Sequence, residues 1–328
     1  MWYNSCVWKP GRGSTKLSPA RRGDYMTKLA ANARLLRLLK TGRREAEQKR
    51  FRKTARGAAG LLAAGLLALS FGCAVSPEKK EMLFFSMNTA MELTAYGDGA
   101  EQAVGEAYRY ILKLDRLLTN KEEDSEISAL NRAAGQGGVD VSPETAQVID
   151  VALVYCGQSG GLFDITVAPL TTLWGIGPEK TSLPADADIK AARALVDYRG
   201  LQKTGENAYC LAEPGMAVDL GAVAKGFASD KAAGIMRERG VKSALISLGG
   251  NIYCVGKKPD GSPWSIGLRD PDGEAGEYFA VLRVTDKAVV TSGDYERYFM
   301  LGGVRYHHII DPRTGAPARS GLRSVTVI

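Results

Sequence analysis

A chain of 328 residues with 45% hydrophobic side chains carries enough apolar surface for a sizeable core, which excludes a disordered or fibrous protein. Its net charge of +7 is unevenly spread: residues 1–56 hold 16 Lys and Arg against 3 Asp and Glu, leaving 27 against 33 from residue 57 onward. A basic leader on a mildly acidic body excludes a nucleic-acid surface across that body, so no nucleic acid is expected as a partner.

The basic leader ends in "RREAEQKRFRKTARG" and runs into "AAGLLAAGLLALSF", residues 58–71, with "GCAVSPEKKE" directly after it. A positive stretch, a short apolar run and small residues at its end form the physical signature of a secretory signal, whereas a spanning helix usually needs about 20 apolar residues. Cys73 after Gly72 resembles the end of a bacterial lipoprotein signal and is the expected lipidation site, although Leu69 stands four residues before it and Phe71 is bulky. An uncleaved N-terminal anchor is the alternative. Either reading predicts an exported protein, anchored to the membrane at the outer face of the cytoplasmic membrane, periplasmic or at the cell surface. The length of the basic stretch points to a translation start at Met26, which leaves residues 1–25 untranslated. The domain plan is a leader over 1–56, a signal over 57–73, a tether over 74–83 and a body over 84–328.

Five cysteines, Cys6, Cys73, Cys156, Cys210 and Cys254, show no C-x-x-C and no paired spacing. That argues against a disulfide framework and a zinc site, and leaves the three body cysteines as small apolar fillers.

The body opens with "MLFFSMNTAMELTAYG", whose partial alternation predicts a strand. Next, Ala103, Ala107, Tyr110, Ile111, Leu114 and Leu117 fall at helical spacing and predict an amphipathic helix. "NKEEDSEISALNRAAGQGG" reads as a polar loop with a short helix start. A second helix follows from Ser142 as N-cap and Pro143 at its first position. "GLFDITVAPLTTLWGIGP" reads as loop and strand, "AVDLGAVAKGFASDKAAGIMRERG" as a strand end passing through glycine into a helix, and "VKSALISLGGNIYCVG" as strand, glycine turn, strand. Strands with turn chemistry between them continue to the end. Strands and helices without a strict βαβ rhythm predict an α+β (mixed α/β) fold, with mixed sheets flanked by helices.

Reactive groups stand next to glycine in four places. Asp219 and Lys225 in "VDLGAVAKG" border a helix start, where free N–H groups favour an anion and a lysine can act on phosphate as a point charge; a capping Asp219 and a solvated Lys225 are equally compatible with the string. Gly249 and Gly250 in "SLGGNIY" allow a close backbone approach to a ligand, with Asn251 as a donor, or simply turn a hairpin. "VVTSGDYERY" offers Thr291, Ser292 and Asp294, and "RYHHIIDPRTGAP" holds both histidines, His307 and His308, before a turn. No P-loop, nucleophile elbow or G-x-G-x-x-G is present.

Taken in order, "SMNTAMEL", "DSEISALN", "GLFDITVAPLTTLWGIG", "VDLGAVAKGFASDKAA", "ALISLGGNIYCVG…PWSIGLRDP", "VVTSGDYERYF" and "YHHIIDPRTGAP" closely resemble the ApbE family of flavin transferases over essentially the whole body. The resemblance implies a family fold with an FAD cleft between subdomains. It also implies Mg²⁺-dependent splitting of FAD, transfer of FMN to a threonine hydroxyl of a carrier protein, and release of AMP. Expected acceptors are flavoprotein subunits of RNF-type or sodium-pumping NADH:quinone reductase complexes; hydrolysis of FAD to FMN and AMP, or an inactive FAD-binding lipoprotein, are the alternatives.

Matched position by position, the resemblance implies FAD contacts at Met87, Phe163, Asp164, Asp219, Lys225, Gly249, Gly250, Thr291 and Ile310. It also implies a backbone-carbonyl magnesium ligand at Ala222 and a catalytic His308 acting with Lys225. A histidine suits general-base work because its ordinary pKa lies near working pH; His307 is then expected to face the other side of its strand. Asn88 replaces the family's usual glycine, and Lys121 stands where many relatives carry an aromatic. The family normally continues past "LRSVTVI" with a strand, a helix and an Asp and Asp/Thr cluster, so the metal's side-chain ligands are expected beyond Ile328.

Overall fold

The structure, a computed structural model, describes residues 5–8, 77–177, 179–274 and 276–328. The expectations for the basic leader, the apolar run and Cys73 lie outside the described residues, apart from the backbone of Ser5–Trp8, strand β1.

The body begins with β2 (Lys79–Ser86) and β3 (Thr89–Tyr96), then α1 (Ala100–Leu118), α2 (Glu126–Arg132), β4 (Val139–Asp140), α3 (Pro143–Gln158), α4 (Ala168–Trp174) and α5 (Asp186–Ala194). It continues with β5 (Leu201–Lys203), β6 (Ala208–Leu211), α6 (Ala224–Glu238), β7 (Ser243–Leu248), β8 (Asn251–Gly256), β9 (Trp264–Arg269), β10 (Tyr278–Val284) and β11 (Lys287–Gly293). The hairpin β12 (Tyr298–Leu301) and β13 (Val304–His307), the pair β14 (Ile310–Asp311) and β15 (Ala316–Pro317), and β16 (Ser324–Val327) close it. This is the expected α+β class.

A seven-stranded sheet in the order β1-β16-β11-β8-β7-β3-β2 forms the frame. Every ladder in it is antiparallel, and the described parallel pairing is an isolated bridge between Val167 and Ala217. Tight reversals force that pattern, since two-residue turns can join only antiparallel neighbours. Alternate side chains of β7 and β8 divide between two cores, as a period of two requires. Ala244, Ile246, Leu248 and Val255 join the main core under α1 and α6, while Cys254, Leu245 and Ile252 join Trp264, Ile266 and Leu268 of β9 in a second. The sheet is thus sandwiched between a helical layer and the β9–β10 ribbon.

Three local readings change. The strand expected over "MLFFSMNTAMELTAYG" is a hairpin, because Met87 and Asn88 both take positive φ, at 46° and 59°, the geometry of a type I′ reversal. Its first strand starts at Lys79, inside the segment assigned to the tether. "APLTTLW" is a helix rather than a strand: Pro169 suits a first turn, and Leu170 and Trp174, four residues apart, both point inward. Cys156 and Cys254 are buried free thiols whose pKa burial raises to about 11, as inert fillers require. Among the described residues no helix is long and apolar enough to cross a membrane.

Candidate active site

One end of the large sheet gathers several of the expected residues. The Gly249–Gly250 turn, with φ of 61° and 85°, closes the β7–β8 hairpin, and a side chain at Gly249 would run into Thr89 at the start of β3. Thr291 of β11 joins them through its N–H, which donates to the Gly250 carbonyl at 3.3 Å. Met87 is tied down from α1: Asp115 Oδ2 accepts from the Met87 N–H at 2.8 Å and from Ser86 Oγ at 2.7 Å. The two positive-φ reversals therefore sit side by side, through Thr89.

The segment leading into α6 presents Asp219 and Lys225. Asn131 of α2 brackets Val218, donating to its carbonyl at 3.0 Å and accepting from its N–H at 2.6 Å. Asp219 follows, half-buried, with Oδ1 accepting from the Gly221 N–H at 2.8 Å and Oδ2 from Thr171 Oγ1 of α4 at 3.1 Å. No side chain caps α6, and the Leu220 carbonyl accepts from the Val223 and Ala224 N–H groups at 3.0 and 2.9 Å, which leaves the rest of the first turn for an anion. Lys225 Nζ reaches the Gly221 carbonyl at 3.3 Å. Burial lowers the Lys225 pKa, Arg297 lowers it further, and Asp219 opposes them. Asn251 is not a free donor to a ligand: it is buried and holds the Lys225 carbonyl and Ser229 Oγ, both at 2.9 Å.

The two histidines differ in what their rings still have to offer. His307 is buried at the end of β13, where Nδ1 accepts from the Ile309 N–H at 3.3 Å and Nε2 donates to the Ala318 carbonyl at 2.9 Å. Both its nitrogens are used, so it braces the turn. His308 Nδ1 lies 3.2 Å from the Arg297 carbonyl, which can only accept, so Nδ1 carries the hydrogen and Nε2 keeps its lone pair. Burial, then Arg297, lower the His308 pKa to about 4, with smaller contributions from His307 and Lys225, against the Arg297 carbonyl. At neutral pH His308 is therefore an uncharged imidazole whose Nε2 lone pair is available.

Not every expected contact is available. Asp164 is buried and spent on its own loop, with Oδ1 accepting from the N–H and hydroxyl of Thr166 at 2.8 and 2.6 Å and Oδ2 from the Tyr198 N–H at 2.9 Å. Phe163 packs against the main core. The Thr291 hydroxyl pairs with that of Thr326 at 2.8 Å, so the threonine's own contribution is its place in the sheet end. Asp294 is absorbed by Arg305 at 3.0 Å and Arg323 at 2.9 Å. Ala222 and Lys121 are exposed, and Ile310 is half-buried in β14.

Sequence reasoning passed over Arg297, although it stands inside the quoted "DYERYF". A cleft of about 830 Å³ is lined by Arg297 together with Asn88, Gly177, Lys180, Thr181 and Phe299. It opens beside the Met87–Asn88 turn. Asp115 and Asn131 were missed as well, since nothing in a helical string shows which surface carboxylate or amide will grip a neighbouring turn.

The ApbE family model matches residues 87–328. A curated protein of Klebsiella pneumoniae named FAD:protein FMN transferase is 38% identical over 70% of this chain and 71% of its own length. One of the same name from Treponema pallidum is 36% identical over 69% of this chain, which spans 66% of it. The crystal structure of the ApbE protein of Thermotoga maritima superposes with a TM-score of 0.70 at 30% identity, over 76% of this chain and 81% of its own.

Proposed function

This chain belongs to the ApbE family, and from that membership together with the site just described we propose that it transfers FMN from FAD to a protein. The observation that carries the mechanism is the His308 ring, whose Nδ1–H is held by the Arg297 carbonyl, which leaves Nε2 with its lone pair, while the charges of Arg297 and Lys225 act on the ring. The acceptor is a threonine hydroxyl. Its oxygen forms the new bond to the FMN phosphorus, the anhydride P–O bond to the AMP phosphate breaks, the hydroxyl proton passes to His308 Nε2, and AMP leaves with the bridging oxygen. Such a transfer depends on positioning and on charge stabilisation, which Lys225 and the uncapped start of α6 supply to the FAD phosphates. Met87, Gly249 and Gly250 line the approach for the flavin nucleotide.

Magnesium needs near-octahedral oxygen ligation. Among the described residues no group of three or more His, Cys, Asp or Glu gathers as a metal site, and Asp219 is already engaged by Thr171 and Gly221. These donors alone do not fit Mg²⁺, the Ala222 carbonyl remaining a single candidate ligand, and no step above is routed through the ion. The acceptors proposed are subunits of RNF-type or sodium-pumping NADH:quinone reductase complexes at the outer face of the membrane. There a lipid on Cys73, implied by the leader's charge and apolar run, tethers the enzyme.

The test incubates the full chain with FAD and an RNF-type acceptor domain, with and without Mg²⁺, and reads acceptor mass and AMP. An acceptor heavier by one FMN on its threonine supports the reading. AMP without a modified acceptor replaces it with FAD hydrolysis, and FAD binding with neither product leaves a flavin-binding lipoprotein.

A further inference from the structure

Arg297 occupies an unusual place in this molecule. Its neighbours along the chain are all committed: Asp294 to Arg305 and Arg323, and Glu296 to Arg269 at 3.6 Å. Arg297 itself makes no ion pair among the described residues, yet it lines the cleft with Lys180 and its carbonyl takes both the backbone N–H and the ring Nδ1–H of His308, at 3.0 and 3.2 Å. Arg297 and Lys180 line that cleft together with Glu296, whose carboxylate pairs with Arg269, so two cations stand there against one engaged carboxylate, an arrangement that favours an anion. The guanidinium fork matches phosphate oxygens two at a time, whereas Lys225 acts as a point charge.

We propose that Arg297 contacts the substrate directly, its guanidinium binding the diphosphate of FAD opposite Lys225 and holding the charge that gathers there as the anhydride bond breaks. This rests on the transferase reading above and adds to it the group that recognises a diphosphate rather than the flavin ring. A second consequence follows from the shared residue. Arg297 anchors His308 through its backbone and repels a proton from it through its side chain. A bound diphosphate neutralises Arg297 and Lys225, so substrate binding itself raises the basicity of His308, where the acceptor proton must go. Besides Arg297, the charged or titratable groups acting on the ring are His307 of β13 and Lys225 of α6.

The experiment uses the full chain and its Arg297→Gln and Arg297→Lys variants, titrated with FAD, ADP and riboflavin, followed by the pH dependence of transfer. Expected for Arg297→Gln is a loss of about 10- to 100-fold in affinity for FAD and ADP, the range for hydrogen bonds to a charged group. Riboflavin binding stays unchanged, because riboflavin has no phosphate. The acid limb of kcat/KM should move up from about 4 toward the ordinary imidazole value, and Arg297→Lys should recover part of both effects. Equal affinity of Arg297→Gln and wild type for FAD and ADP overturns the proposal, as does an equal loss for riboflavin, which would mark a merely structural role. A wild-type chain that binds FAD but modifies no acceptor overturns the transferase reading and leaves the diphosphate contact judged by the ADP titration. A wild-type chain that binds neither FAD nor ADP overturns both.

Discussion

The site is assembled by two arms that are built from different materials. The arm carrying Lys225 grows out of the main core: Val218, Leu220, Ala224 and Ala228 are buried in it, and neutral amides, Asn131 and Asn251, hold its backbone. The arm carrying Arg297 and His308 is the β12–β13 hairpin, a two-stranded sheet of its own. Ion pairs from Asp294 to Arg305 and Arg323 fasten it, as does an aromatic run in which Phe299 stacks on Tyr306 at 5.1 Å and Tyr306 on Trp174 at 5.9 Å. Apolar burial fixes the backbone that carries Lys225 regardless of salt. A charged clasp gives the arm with the base a fastening that is weaker and more responsive to its surroundings. In the proposed mechanism, binding and chemistry thus fall on elements of unequal rigidity.

The sharpest way to break this division is to remove one group from each arm. His308→Gln should lower transfer by about 10²- to 10⁴-fold, the usual contribution of a general base, with FAD affinity unchanged in a flavin-fluorescence titration; a variant of full rate would remove His308 from the mechanism. Lys225→Ala should act on the other side of the division. FAD affinity should drop by about 10- to 100-fold, as for a lost charged hydrogen bond. If equilibrium titration shows Lys225→Ala binding FAD as well as wild type, the core arm does not hold the phosphates.

The fastening of each arm gives a finer test. Asp294→Ala strands two arginines and should cost about 2 kcal/mol. Its effect on transfer should exceed its effect on FAD affinity, because only the hairpin loosens. Asn251→Ala removes the support of the Lys225 carbonyl and should cost about 1–2 kcal/mol, with FAD affinity and thermal midpoint falling together. Urea melts paired with FAD titrations compare the two. Matching profiles for Asp294→Ala and Asn251→Ala would mean that the arms are not mechanically distinct.

This contrast also explains how far the sequence could be read. The helix of the core arm is legible because glycines before an apolar helix form a local pattern, and Ser142 and Pro143 start their helix by equally local rules; the string alone left Lys225 either solvated or on a phosphate, and the family resemblance chose between them. Met87 and Asn88 hid a reversal, since methionine is not a residue expected at positive φ and Asn88 is not followed by glycine, and the Asp115 grip that holds the Met87 N–H comes from 28 residues away. The family resemblance placed Asp164 at the ligand, and its string carries no sign of the Thr166 and Tyr198 donors that engage its carboxylate. In the histidine pair, alternation along a strand separates the two rings but does not say which keeps a free nitrogen. That is decided by the carbonyls of Ala318 and Arg297, and only folding brings them there.

The smallest expected effect is on stability, and its sign follows from the same ring. His308 has an ordinary pKa of 6.5 in the unfolded chain and about 4 in the folded one. Between those values the unfolded chain binds a proton that the fold refuses, so stability is lost as pH falls from 6.5 toward 4 and is fully present above that window. His307, also lowered chiefly by its burial, contributes in the same direction. Urea midpoints measured from pH 7 down to 4.5 should therefore fall less steeply in His308→Gln than in wild type, while His307 keeps part of the slope in both. Saturating FAD should shallow the wild-type slope further, because a diphosphate between Arg297 and Lys225 lets the folded imidazole take its proton at higher pH. An identical slope with and without FAD would mean that the cations facing His308 are not the ones the substrate neutralises.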